Sequence, residues 1–429
     1  MERELARALL APLQLSASSR NAQAIRRLGA GNWRRILTWL DDSGLALYFL
    51  RSLQNKGATG VLPQQVLAHL EGNLAQNRVR WESIVEALSC INDRFRQAGV
   101  RFAVIKGLSL VPDYCPDAVL RAPSDLDYLV DEQSLSLAQA VLEGAGYTLQ
   151  QCSDIEFKYR KRISRMPRMS DSPYSATTHP LVELHLRFWK HGENNVPFAE
   201  PLFSLQETTP HECWGLRFAV LNDCDAFLFQ MIHIFQHTLD GWVKLCWLFE
   251  VGSFLSERSN DSEFWRQVDD RIQAVPYLAE FAAIVVELAR IVFLAPLPDP
   301  VRNWVRCLRP SSRLWLDNYG EIFAFDDHPV SGGRFFPTGK LSLFLHQEYI
   351  PSAEIRNEMI RRRLFPWKRP ARVAFPGEQE RSSSTAALQL QWQFVLNRII
   401  FHSGSSLRYL WEIPRWRKIQ SETQPHPAA

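Results

Sequence analysis

Apolar residues recur at three- and four-residue steps through much of the first hundred positions. Ile36, Leu37, Leu40, Leu45, Leu47, Phe49, Leu50 and Leu53 form one such series, and Ile84, Val85, Leu88, Ile91 and Phe95 form another. That spacing predicts amphipathic helices, with Gly99 closing the second as its C-cap. The period then changes. Residues 101–105 (RFAVI) make a short β-rich run ended by Gly107, and residues 126–130 (LDYLV) make a second. Asp131 and Ser134 are capping residues for a helix over 135–145, whose apolar face is Leu135, Ala138, Val141, Leu142 and Ala145. Residues 181–188 (LVELHLRF) alternate strictly: Val182, Leu184, Leu186 and Phe188 point one way, and Glu183, His185 and Arg187 the other. Residues 156–162 (EFKYRKR) alternate as well and read as an edge strand. From Asp223 to about Leu297 the helical period returns, and residues 386–401 predict a last apolar helix.

Strands interleaved with a helix over about a hundred residues imply a small mixed α/β unit. The expected fold class is therefore α+β: a small mixed-sheet core flanked by N- and C-terminal helical regions. The expected division is a helical region over 1–98, the core over 99–210, a second helical region over 211–345, and a basic tail over 346–429. The tail holds a Pro-rich connector (365–385) and the final helix.

Composition narrows the partners. The chain has 429 residues, 46% hydrophobic and 22% charged, which fits a globular protein and excludes a disordered one. A net charge of +3 gives no global field for nucleic acid. The charge is unevenly placed, since residues 355–429 hold 13 basic and 5 acidic side chains, a net of +8. The seven scattered cysteines contain no CxxC pair and fit a reducing compartment. Glu2, Glu4 and Arg7 spoil a secretory signal, and Glu287 and Arg290 break the longest apolar stretch, so a cytoplasmic chain without a transmembrane segment is expected.

The informative segment is KGLSLVPDYCPDAVLRAPSDLDYLV, residues 106–130. Asp125 and Asp127 are spaced i, i+2 at the head of a strand, which puts both carboxylates on one face while Leu126 and Tyr128 face the core. Two carboxylates held that close repel one another unless a divalent cation sits between them. Glu183 lies on another strand with the same polar-face logic. If the two strands are neighbours, the three carboxylates form a cluster of the kind that holds two Mg²⁺ ions for phosphoryl transfer. A Gly directly after a strand, as in Lys106-Gly107-Leu108-Ser109, lets backbone N–H groups approach phosphates.

These residues resemble the nucleotidyltransferase superfamily with the DNA polymerase β-like catalytic core, which uses a Gly-Ser turn, a D-x-D/E pair and a third carboxylate on a later strand. The chain is more closely similar to a bacterial uncharacterised nucleotidyltransferase family. Lys106-Gly107, Arg121, Asp125–Val130, Gly146-Tyr147 and Val182-Glu183-Leu184-His185 carry that similarity, together with the stretch from His237 through Trp242 to Trp247. The resemblance implies that Asp125, Asp127 and Glu183 are the catalytic residues and bind Mg²⁺, with Mn²⁺ an alternative. It also implies nucleotide binding by Lys106, Gly107, Ser109 and Arg121. The reaction implied is transfer of a nucleoside monophosphate from an NTP such as ATP to an acceptor hydroxyl on a small molecule, peptide, protein or RNA. The alternative is a catalytically degenerate member that binds nucleotide or a partner.

Several residues stay open at this level. His185 shares a face with Glu183, as a partner of that carboxylate or a solvent-facing strand residue. Lys106 meets a triphosphate or only flanks the turn; Arg121 pairs with Asp125, meets phosphate, or is a solvated loop charge. His233 and His237, i and i+4 on a helix, offer a zinc pair without the HExxH glutamate, or simply a helix face. The basic aromatic stretch Phe365, Trp367, Lys368, Arg369, Arg372 and Phe375 is a contact for an anionic surface, nucleic acid or membrane, or a solvated linker. Replacing Asp125 or Asp127 by Asn should leave the fold intact or slightly stabilised, because a repulsive pair loses one charge.

Overall fold

A computed structural model describes residues 3–16, 23–26, 28, 30–123, 125–161, 173–175, 180–189, 195–199, 203–326, 338–365 and 385–423. The N-terminal helices are α1 (Arg3–Leu10), α2 (Gln23–Arg26), α3 (Ala30–Asp42), α4 (Ala46–Asn55) and the 35-residue α5 (Gln64–Ala98). Gly99 ends α5 in the left-handed conformation, φ 76°, where a side chain would be strained. Ile84, Leu88, Ile91 and Phe95 are the buried stripe of α5. Phe95 packs edge-on against Phe102 and Tyr128, so this stripe lies on the sheet.

The sheet has seven strands: β1 (Phe102–Val104), β2 (Asp125–Val130), β3 (Tyr147–Cys152), β4 (Glu156–Lys161), β5 (Leu181–His185), β6 (Thr209–Cys213) and β7 (Leu216–Val220). Their order is β3-β4-β5-β2-β1-β7-β6. Strands β2 and β5 are parallel, as are β1 and β7, and the other neighbours are antiparallel. The fold class is α+β, as the alternation of periods implies. Helix α6 (Glu132–Gly144) starts where the capping residues place it: Asp131 accepts a hydrogen bond from the Ser134 N–H at 2.7 Å.

Four strands depart from the sequence reading. Strand β4 is not an edge; it sits between β3 and β5. The edge on that side is β3 (YTLQQC), whose outer residues are exposed and carry no strong alternation, and β6 is the other edge. Strands β6 and β7 form a hairpin that periodicity does not reveal. Its turn is Trp214-Gly215, with φ 53° and 72°, the two left-handed residues a tight right-twisted hairpin requires.

Helices α7 (Asp223–Asp240), α8 (Leu245–Glu257), α9 (Ser262–Gln273) and α10 (Leu278–Phe293) follow. Phe235 of α7 stacks on Phe281 of α10 at 3.9 Å, and α10 is buried along nearly its whole length. Its one buried charge, Glu287, is held by Arg290 at 2.7 Å. The remaining helices are α11 (Asp299–Arg306), α12 (Pro310–Trp315), α13 (Glu321–Ala324), α14 (Leu343–His346), α15 (Ala353–Leu364) and the 39-residue α16 (Thr385–Thr423). Tyr409 and Trp416 of α16 pack on Phe344, at 4.5 and 5.2 Å. Among the described residues no helix is long and apolar enough to cross a membrane. Trp367, Lys368, Arg369, Arg372 and Phe375 lie outside the described residues.

Candidate active site

Parallel pairing puts Asp127 directly opposite Glu183, and antiparallel pairing puts Lys158 opposite Glu183 and Glu156 opposite His185. The β-period then gathers polar side chains of three adjacent strands on one face: Asp125 and Asp127 of β2, Glu183 and His185 of β5, Glu156 and Lys158 of β4. The other face of β2 is apolar, with Tyr128 against α5. Asp127, Glu183 and His185 are 2%, 5% and 7% exposed.

The loop leading into β2 is fastened from α5. Asn77 donates to the carbonyls of Val119 and Arg121, both at 2.7 Å, and the Trp81 indole donates to the Arg121 carbonyl at 2.9 Å. Arg80 donates to the Pro123 carbonyl at 2.5 Å. These buried polar side chains fix the backbone that delivers Asp125.

Each buried carboxylate has a cationic partner. Lys106 Nζ donates to Asp127 Oδ1 at 2.6 Å, and His185 Nε2 lies 3.0 Å from the same oxygen. Lys158 Nζ donates to Glu183 Oε1 at 2.6 Å and lies 3.3 Å from Glu156 Oε1. Burial alone would raise the Asp127 carboxyl, but Lys106 and His185 outweigh it and hold the group below the usual carboxylate range. Lys106 is held protonated in return: Asp127 and Asp125 overcome the opposing effect of burial. Burial, followed by the charges of Asp127 and Asp125, pushes Glu183 up to about 8 despite Lys158. Burial and Asp127 likewise raise Asp125. The face is therefore short of positive charge.

That deficit suits a divalent cation. Asp127 Oδ2 is buried with no hydrogen-bond partner among the described residues. One ligand atom each from Asp127, Glu183 and His185 can lie within 4.8 Å of one another. Carboxylate oxygens suit Mg²⁺ or Mn²⁺, and an imidazole nitrogen is better tolerated by Mn²⁺. Asp125 stands beside this group at the cavity wall and couples to it electrostatically.

Asp125, Glu156, Glu183 and His185 line a cavity of about 400 Å³, together with Lys106, Gly107 and Arg121. Gly107 has φ 68° and begins a short 3₁₀ turn, Gly107–Leu110. Ser109 of that turn lines a different, smaller cavity of about 180 Å³ instead. Arg121 does not reach for Asp125; its Nε donates to Glu250 Oε1 of α8 at 2.7 Å, and the Tyr48 hydroxyl donates to the same oxygen at 2.6 Å. The His233 and His237 rings meet edge to face, centroids 4.6 Å apart, and among the described residues they belong to no group of three candidate metal ligands.

Sequence reasoning passed over Glu156 and Lys158. The alternation of residues 156–162 placed them together on one face, but which face was open until the partner strand was known. It also passed over Glu250, separated from Arg121 by 129 residues.

A family described as an uncharacterised nucleotidyltransferase matches residues 29–293, more than half of the chain, taking in α5, the whole sheet and α7 to α10. No curated protein and no solved structure matches the chain.

Proposed function

The chain belongs to the uncharacterised nucleotidyltransferase family, and from that premise we propose that it transfers a nucleoside monophosphate from an NTP to an acceptor hydroxyl. The observation that carries the reading is the β2–β5 carboxylate pair, Asp127 opposite Glu183, beside a cavity lined by Glu183, Asp125, Lys106 and Lys158. In the reaction the acceptor oxygen bonds to the α-phosphorus, the α–β phosphoanhydride bond breaks, and pyrophosphate leaves. The acceptor's proton passes to a carboxylate of this face.

Asp125, Asp127 and Glu183, with His185 beside them, would hold the divalent cation, Mg²⁺ or Mn²⁺. When bound, the cation supplies the charge that neutralises the phosphates. Lys106 and Lys158 balance the carboxylates in the metal-free protein, and both can turn toward phosphate oxygens once a cation takes over that duty. Gly107 offers its backbone to a phosphate, and Arg121, braced on Glu250, holds the Gly107 turn through a 3.5 Å contact to its carbonyl. Ser109 is the weakest of the nucleotide-binding candidates, since it faces the smaller cavity.

Incubation of the purified chain with each NTP, Mg²⁺ or Mn²⁺ and cell extract, read out by pyrophosphate release, tests this function. Release that requires both metal and extract supports the transfer. Tight NTP binding with no release under any condition would instead establish the degenerate, nucleotide-binding alternative. The seven unpaired cysteines favour a reducing compartment such as the cytoplasm.

The acceptor side has one further pointer. Helix α16 turns Trp392, Leu396, Ile399, Ile400, Leu407, Leu410 and Trp411 outward, Trp392 and Trp411 being 67% and 82% exposed. These positions fall on one helical face, with exposed Arg417 and Lys418 continuing the same stripe. An apolar stripe with tryptophans in a region of net +8 fits an anionic lipid surface better than nucleic acid, which offers no apolar layer to bury it. The chain should co-sediment with phosphatidylserine-containing vesicles and release as salt rises, while Trp411→Glu and Leu407→Glu weaken binding. Equal binding to neutral vesicles, or a dimer that covers the stripe, would contradict this.

A further inference from the structure

The wall of the cavity that faces the carboxylate strands is aromatic. A continuous ladder of rings starts beside His185 and runs outward. His185 meets Phe188 at 5.8 Å, Phe188 meets Phe229 at 4.4 Å, and Phe229 meets His233 at 5.8 Å. His233 then meets Trp247 at 5.0 Å, and Trp247 meets Trp242 at 5.2 Å. His237 closes the outer end, 4.2 Å from Trp242 and 5.1 Å from Trp247. Every one of these rings lines the same cavity as Lys106, Asp125 and Glu183.

The outer cluster is built by a specific turn. Gly241 ends α7 with φ 98°, and the Trp242 N–H donates back to the His237 carbonyl at 3.1 Å. The chain thus folds Trp242 onto the helix it has just left, and α8 brings Trp247 in from the other side. Lys244, between them, sits 5.8 Å from the Trp247 ring and acts electrostatically on Asp125. Trp189, Trp265 and Trp315 are fully buried, whereas His233, His237, Trp242 and Trp247 are only half-buried, with the cavity beside them.

We infer that the His233–His237–Trp242–Trp247 cluster is the subsite for the nucleobase of the NTP, with the triphosphate directed along the ladder toward Lys106, Lys158 and the carboxylates. This rests on the nucleotidyltransferase reading. The two ends of the cavity match the two ends of an NTP: one wall is charged and the other presents aromatic rings. Lys244 stands between them, at the place of the sugar and phosphates. Stacking reads the π-face that every base has, so the site accepts several bases and favours the larger purines.

Calorimetric titration of the full chain with Mg²⁺ and two probes tests the subsite. The probes are α,β-methylene-ATP, which cannot be cleaved at the transferring position, and inorganic tripolyphosphate, which has no base. The wild-type chain should bind the nucleotide at least about tenfold more tightly than tripolyphosphate. Trp247→Ala and Trp242→Ala should each lose about tenfold for the nucleotide while tripolyphosphate binding stays the same. Trp247→Phe, which keeps an aromatic face, should retain most of the nucleotide affinity. Equal wild-type affinity for the two probes would overturn the subsite, and so would Ala variants that bind the nucleotide normally or lose both probes alike. A wild-type chain that binds neither probe would overturn the nucleotidyltransferase reading itself, and the subsite with it.

Discussion

Asp127→Asn is expected to abolish metal-dependent nucleotide turnover and also to lower the melting temperature of the metal-free protein by several degrees. Asp125→Asn should abolish turnover with the melting temperature unchanged or slightly raised. The two aspartates look equivalent in the sequence, and there both substitutions read as neutral or stabilising. The structure separates them. Asp127 is 2% exposed and its Oδ1 accepts from Lys106 and faces His185, so an Asn there leaves a half-buried ammonium facing a neutral amide. Asp125 is half-buried, makes no ion pair among the described residues, and is raised by burial and by Asp127. Removing its charge relieves repulsion. Thermal unfolding in chelator, beside a pyrophosphate-release assay, checks both halves. Equal melting shifts for the two variants would show that Lys106 does not distinguish them.

Lys106→Met should be the most destabilising single change at the site, by about 3–5 kcal/mol, because it strands Asp127 as a buried carboxylate without its strongest counter-charge. The double variant Lys106→Met/Asp127→Asn should recover most of that loss, since it removes both charges. The pH dependence has a defined sign. With Lys106 gone, burial opposes ionisation of the Asp127 carboxyl with only His185 beside it to favour the charge. The group therefore titrates higher than in the wild type, and the stability lost relative to wild type shrinks as the group is protonated. The melting difference from wild type should be smaller at pH 5 than at pH 8. Chelator-treated protein followed by circular dichroism gives the comparison, and a double variant no more stable than Lys106→Met would rule out the pair as the cause.

The legible parts of the site were those set by local periodicity. An i, i+2 spacing in an extended run fixes Asp125 and Asp127 on one face whatever the strand pairs with, and strict alternation does the same for Glu183 and His185. Adjacency of β2 and β5 is a different kind of fact. Its residues lie more than fifty positions apart, and in the sequence it stood only as a condition. Lys158 and Glu156 show the same limit: their alternation was visible, yet their face depended on β4 lying inside the sheet and not at its edge. Arg121 shows it again, since Glu250 on a distant helix takes the guanidinium. The β6–β7 hairpin was missed for a local reason: Trp214 carries a left-handed turn position where Asn, Asp or Gly would have signalled one. The aromatic ladder escaped because its rings lie on separate elements, Phe188 beyond β5 and the others on or near α7 and α8, and only the fold sets them together along one cavity.

Titration of the chelator-treated protein with Mn²⁺, followed by the electron paramagnetic resonance signal of the free ion, tests the central claim most directly. No acceptor or nucleotide is needed. The wild-type chain should bind Mn²⁺, Mg²⁺ should compete for the same site, and Glu183→Gln and Asp125→Asn should each weaken binding by at least about tenfold. Binding that is absent in the wild type, or unchanged in both variants, would contradict the assignment of this strand face as the cation site.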